Sequence, residues 1–118
     1  MIPKLDSWGY VVIWEFRVRP RMGRRFEAVY GPKGDWARFF RQDKQYIGTE
    51  LILNLKARRT YLTLDWWTSR KAYESFRKRH AAEYKAIDAR CEVLTENERE
   101  VGRYARIGRI RGTISRQG

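Results

Sequence analysis

Between Tyr10 and Arg19 apolar and polar positions alternate. Val12, Trp14, Phe16 and Val18 share one face, with Val11, Ile13, Glu15 and Arg17 on the other. A period of two over that length predicts a strand, and Pro20 ends its ladder because it has no N–H to donate. Phe26, Val29 and Tyr30 then follow at helical spacing until Gly31-Pro32-Lys33-Gly34 breaks the pattern. Asp35 is placed to cap a second short helix carrying Trp36, Phe39 and Phe40, so the first helical segment is expected to be split. Tyr46 to Asn54 and Thr60 to Trp67 read as two more strands, and the short connection from Asn54 to Arg59 makes them an antiparallel hairpin. On the second of these, Leu62, Leu64 and Trp66 face one way and Tyr61, Thr63, Asp65 and Trp67 the other. Thr68 or Ser69 can cap the next helix. Tyr73, Phe76, His80, Tyr84, Ile87, Cys91 and Leu94 form a stripe in steps of three and four, in one long helix or two in series. Gly102 to Ile110 is the last strand candidate.

The order strand, helix, strand, strand, helix, strand describes two split βαβ units building one antiparallel sheet with helices on one face. The other face then carries Val11, Ile13, Leu62, Leu64 and Trp66, too apolar to meet water. Pairing two sheets across a two-fold axis would cover it, so a homodimer is expected. The chain divides into a lead (1–9), one domain (10–110) and a basic C-terminal tail (111–118). At 118 residues a single core is possible.

The formal charge of +12 changes this picture little. Arg17, Arg19, Arg21, Arg24 and Arg25 cluster near the first strand-to-helix junction, and Arg103, Arg106, Arg109, Arg111 and Arg116 lie in a stretch with no acidic residue. A solvated rim and a basic tail account for both. RNA recognition modules share the element order, but they require a basic-Gly-aromatic-Gly-aromatic run. Arg59-Thr60-Tyr61-Leu62-Thr63 lacks both glycines, which weighs against nucleic acid. One cysteine, Cys91, allows no internal disulfide and no cysteine-rich metal site. No apolar run approaches a membrane span, and a cytoplasmic setting is the default expectation.

Three segments carry a family resemblance: Phe16 to Arg41 (FRVRPRMGRRFEAVYGPKGDWARFFR), Tyr46 to Leu53 (YIGTELIL) and Arg59 to Phe76 (RTYLTLDWWTSRKAYESF). Over about residues 10 to 107 the chain resembles the antibiotic biosynthesis monooxygenase-like family. The resemblance implies an α+β, ferredoxin-like βαββαβ fold with a split first helix, paired into a dimeric α/β barrel. It also implies oxidation of an aromatic or polyketide-like molecule by O2 with no metal, flavin or other cofactor. Trp67 and Tyr73 match a tryptophan and a tyrosine of the site in quinone-forming members, while Thr63 stands where those members have asparagine. Haem-degrading relatives place an asparagine on the first strand, and a tryptophan and a ligating histidine on the second helix. Here Trp14 and Phe76 occupy the first two places and His80 falls two turns too early, which speaks against haem.

The resemblance turns the face of Thr63, Asp65 and Trp67 towards the helices, together with Trp14 and Phe16. Tyr73, Phe76 and His80 lie on the stripe that would cover it. The candidate catalytic residues are therefore Asp65, Trp67, Tyr73 and His80, and the candidate substrate contacts Trp14, Phe16, Thr63 and Phe76, with no metal ligand among them. A carboxylate facing an apolar pocket has a raised pKa and could take a phenolic proton; Asp65 could equally pair with a nearby arginine. His80 could act as acid, base or ligand orienter, or pack with one hydrogen bond. Trp67, Tyr73, Trp14 and Phe16 could equally be core, and Cys91 reads as an inert buried thiol. Two further functions share these features: a non-catalytic dimeric module that binds a small molecule or a partner, and, more remotely, an RNA-binding module. Whether Asp65 and His80 point into a cavity or into ion pairs at its edge separates catalysis from binding.

Overall fold

A computed structural model describes residues 6–108. Its elements are β1 (Tyr10–Val18), α1 (Gly23–Tyr30), α2 (Asp35–Phe40), β2 (Tyr46–Leu53), β3 (Thr60–Trp67), α3 (Arg70–Arg79), α4 (Ala81–Cys91), a 3-10 turn (Glu92–Leu94) and β4 (Thr95–Ala105). The strands form one sheet in the order β2-β3-β1-β4, and each neighbouring pair is antiparallel. This is the expected ferredoxin-like α+β arrangement with a split first helix. Of the lead only residues 6–9 are described, and residues 109–118, which hold Arg109, the end of the last strand candidate and the tail with Arg111 and Arg116, lie outside the described residues.

The core lies between the sheet and the helices. Val12, Phe16 and Val18 of β1, Tyr61 and Trp67 of β3, Phe26, Phe39 and Phe40 of the split helix, and Phe76 of α3 are buried there. Trp67, Phe26, Phe76, Val12 and Val18 are the largest side chains fully removed from water. Each gains roughly 1.5–3 kcal/mol by burial, so these five anchor the layers. Ser69 caps α3 by accepting the Ala72 N–H at 3.1 Å, which decides between the two capping candidates. The long stripe is two helices in series, joined at His80, which ends α3 and starts α4 with a non-helical backbone (φ −118°, ψ 30°).

Two expectations are corrected. Asp35 does not cap α2. Gly34 holds the cap position and Asp35 is the first helical residue, paired with Arg38 at 3.0 Å. A side chain at 34 would strike the carbonyl oxygens of Ala28 and Val29, so the chain can turn back against α1 only with glycine there. The last strand is not Gly102 to Ile110 but Thr95–Ala105. Its first half, Glu96 to Glu100, is charged or polar throughout and exposed, so it shows no amphipathic alternation. It belongs to the sheet through its ladder with β1 and through ion pairs of Glu15 with Arg99 (2.8 Å) and of Glu96 with Arg17 (3.3 Å) and Arg59 (3.1 Å). A charged edge strand of this kind discourages pairing with stray chains.

Candidate functional site

A cavity of about 330 Å³ opens between the helix-facing side of the sheet and the helices. Trp14 and Phe16 of β1 and Thr63 and Asp65 of β3 form its floor, because alternate residues of a strand share a face. Tyr30, Trp36 and Phe40 wall it from the split first helix. Tyr73 and Arg77 from α3, Tyr84 and Asp88 from α4, and Glu98 from β4 complete it. Aromatic walls around a few polar groups suit a flat aromatic ligand, and the volume sits at the small end of ligand sites.

Asp65 is the sharpest feature. It is half-buried, and among the described residues no arginine or lysine pairs with it; its one hydrogen bond comes from Thr49 Oγ1 at 2.6 Å. Burial pushes its carboxyl from the ordinary 3.8 up to about 6, and the Thr49 hydrogen bond opposes that rise. The alternative of an arginine partner is not what the structure places there. Thr63 is buried beside it and lines the cavity. Tyr73, also buried, accepts a hydrogen bond from Arg77 at 2.7 Å. Burial raises the Tyr73 hydroxyl pKa, while Arg77 opposes the rise. Arg77 is fixed a second time, its guanidinium lying 3.6 Å from the centre of the Tyr84 ring. Trp14 stacks on Phe16 at 6.2 Å and stays half-buried, leaving ring surface towards the cavity.

Five candidates thus meet around one space: Trp14, Phe16, Thr63, Asp65 and Tyr73. Trp67, Phe76 and His80 do not line it. Trp67 is 0% exposed, ringed by Phe40, Tyr46, Tyr73 and Phe76, and its indole N–H has no acceptor among the described residues. Phe76 is likewise 0% exposed. His80 packs on Phe76 at 4.4 Å with Nδ1 3.6 Å from Glu83, at the outer joint of the two helices. Cys91 is buried. Sequence reasoning missed Arg77, although it sits four residues after Tyr73 and so on the same helix face. It missed Thr49 because the strand register, which sets Thr49 opposite Asp65, depends on the centre of the hairpin turn. It missed Glu98 because the sequence pattern places β4 too late. Among the described residues no three His, Cys, Asp or Glu side chains converge as a metal site would need, and no helix is long and apolar enough to cross a membrane.

No family model and no curated protein matches the chain. Solved structures do. SnoaB, a cofactor-independent oxygenase from Streptomyces nogalater, superposes with a TM-score of 0.65 at 16% identity, covering 92% of this chain and 98% of its own. PA3566 from Pseudomonas aeruginosa does so with a TM-score of 0.60 at 12% identity, over 86% of this chain and 97% of that one. A NIPSNAP family protein from Agrobacterium tumefaciens gives 0.57 at 16% identity, over 80% and 90%. The chain has the fold of these proteins. At such identities the likeness speaks for the backbone alone, which is also the backbone that the resemblance implied. The chemistry has to be argued from the cavity.

Proposed function

We propose that this chain is a cofactor-independent oxygenase of an electron-rich phenolic aromatic, and that it works as a homodimer. The observation that carries the reading is Asp65, a carboxylate without a cationic partner on the floor of an aromatic cavity. A base of this kind is poised near neutral pH, where proton abstraction from a phenol-activated position is efficient. Asp65 takes the proton, and the aromatic walls exclude water from the anion formed. That anion passes one electron to O2, and the two radicals combine to form a C–O bond. The peroxide takes the proton back from Asp65, and loss of water leaves a quinone carbonyl. One oxygen atom ends in product and the other in water, with all four electrons that reduce O2 supplied by substrate. The Thr63 hydroxyl is placed to donate to the phenolate or the peroxide, in the position where quinone-forming relatives carry an amide. The aromatic cavity around Asp65 supports the choice of reaction, on a backbone that a cofactor-independent oxygenase, SnoaB, also uses, and the apolar outer sheet face supports the dimer.

Oxygen uptake by the purified protein, with anthrone-like and naphthol-like phenols and no added flavin, haem or metal, tests the reading. Uptake with quinone formation is expected. It should rise with pH to a plateau with a midpoint near 6, the pH at which Asp65 ionises, and be lost in Asp65→Asn. Phenols that quench tryptophan fluorescence without consuming oxygen would instead establish the non-catalytic binding module.

A further inference from the structure

Asp65 does not sit in its cavity unaided. Thr49, directly opposite it on β2, gives its hydroxyl to Asp65 Oδ1 at 2.6 Å, and the Tyr46 hydroxyl lies 2.5 Å from the same Thr49 oxygen. A threonine hydroxyl has one proton, and a carboxylate can only accept. With that proton given to Asp65, the contact with Tyr46 is a bond in which Tyr46 donates. Both hydroxyls therefore point the same way, towards the carboxylate. Tyr46 and Thr49 are both buried. They are three residues apart, which in a regular strand would put them on opposite faces. A bulge solves this. Tyr46 pairs with Trp67 and Gly48 with Trp66, leaving Ile47 as the extra residue, so Tyr46 is re-aimed onto the helix side.

We propose that Thr49 is the positioning residue of Asp65, with Tyr46 holding Thr49 in place: the chain Tyr46–Thr49–Asp65 occupies Oδ1, stabilises the ionised form and leaves Oδ2 to take the substrate proton. This deepens the reading of Asp65 as the base and rests on it. Hydrogen bonds in series polarise one another, so Tyr46 strengthens the bond that Thr49 makes. The titratable and charged groups facing Asp65 around the cavity are Tyr30 from α1, Tyr46 from β2, Tyr73 and Arg77 from α3, Tyr84 and Asp88 from α4, and Glu98 from β4. Arg77 is engaged by Tyr73 and Tyr84, so the neutral hydroxyl of Thr49 is what offsets the burial of the charge.

The test is a carbon-13 NMR titration of the Asp65 carboxyl in the whole protein without substrate. Thr49→Val should raise its midpoint by about one pH unit, the worth of one hydrogen bond to a charged group. Thr49→Ser should restore the wild-type midpoint, and Tyr46→Phe should raise it by less than Thr49→Val. The oxygen-uptake profile should shift alkaline in step. An unmoved midpoint in Thr49→Val, or a Thr49→Ser variant displaced as far as the valine, would overturn the proposal. Should Thr49→Val not fold, Tyr46→Phe decides, since an unmoved midpoint there breaks the chain. Midpoints that shift as stated in a protein that consumes no oxygen would sink the reading of Asp65 as a base while upholding the hydroxyl chain.

Discussion

An ionised carboxylate among aromatic rings costs stability, and Asp65 is held there by a single hydroxyl. Its folded pKa lies above its unfolded one, so its contribution to stability is fully present below about 4 and is lost as the pH rises through about 6. A rise of that size in a carboxyl pKa corresponds to roughly 2–3 kcal/mol. Asp65→Asn keeps an oxygen to accept from Thr49 and removes the charge. That variant should therefore unfold at higher denaturant than wild type at pH 7 by roughly that amount, with the gap closing by pH 4; paired urea melts at the two pH values check it. A residue that loses activity and gains stability together is serving chemistry, not packing. Phe76 should behave in the opposite sense. It is fully buried and away from the cavity lining, so Phe76→Ala should cost about 3–5 kcal/mol in the same melts. The alternation of β3 made Thr63 and Asp65 legible as neighbours, and that of β1 made Trp14 and Phe16 legible. Trp67 obeys the same alternation yet lies too deep to touch the space, because depth along a strand is set by the helices above it.

Among the elements, the hydrophobic period located the first three strands to within a residue and showed where the helical segments lie, but it left open whether the stripe from Tyr73 to Leu94 was one helix or two. β4 was legible only in part. Both of its sides run along the sheet edge, so its polar half carries no period to read. The bulge at Ile47 is likewise silent, because a bulge is a property of the pairing and not of the residues. The break between α1 and α2 could be read, but not its cause. Gly34 lets the α2 start press against the carbonyls that end α1, and a methyl there collides with backbone. Gly34→Ala should push α2 outward, carrying Trp36 and Phe40 off the cavity wall. The expected result is a loss of at least about 2 kcal/mol in denaturant melts, in the range of core strain, together with weaker phenol binding by fluorescence. An unchanged melting curve would mean that α2 can pivot without cost.

On the scale of the whole molecule, the sheet has one face under helices and one bare. Ile13, Leu62, Leu64 and Trp66 lie on the face away from the helices together with the buried Val11: Val11 pairs with Trp66 and Ile13 with Leu64, and Leu62 lies two residues from Leu64 along β3. Trp8 closes over Trp66, ring centres 4.6 Å apart, so one corner is covered from within the chain and the middle is not. A second copy placed by a two-fold axis would bury the same row twice. Leu64→Glu puts a charge in that row from each copy. Losing one buried leucine contact costs roughly 1.5–3 kcal/mol, and the axis doubles it, so the dimer should weaken by at least about a hundredfold. The helices and the cavity lie on the far side of the sheet and should be untouched. Light-scattering chromatography should then show wild type at twice the chain mass and Leu64→Glu at the chain mass, with matching circular dichroism spectra. Phenol binding retained by the monomer would place the whole site within one chain. Binding lost with the dimer would mean that the partner closes the cavity. Wild type at the chain mass across a hundredfold range of concentration would remove the dimer and leave Leu62 and Leu64 in need of a different cover.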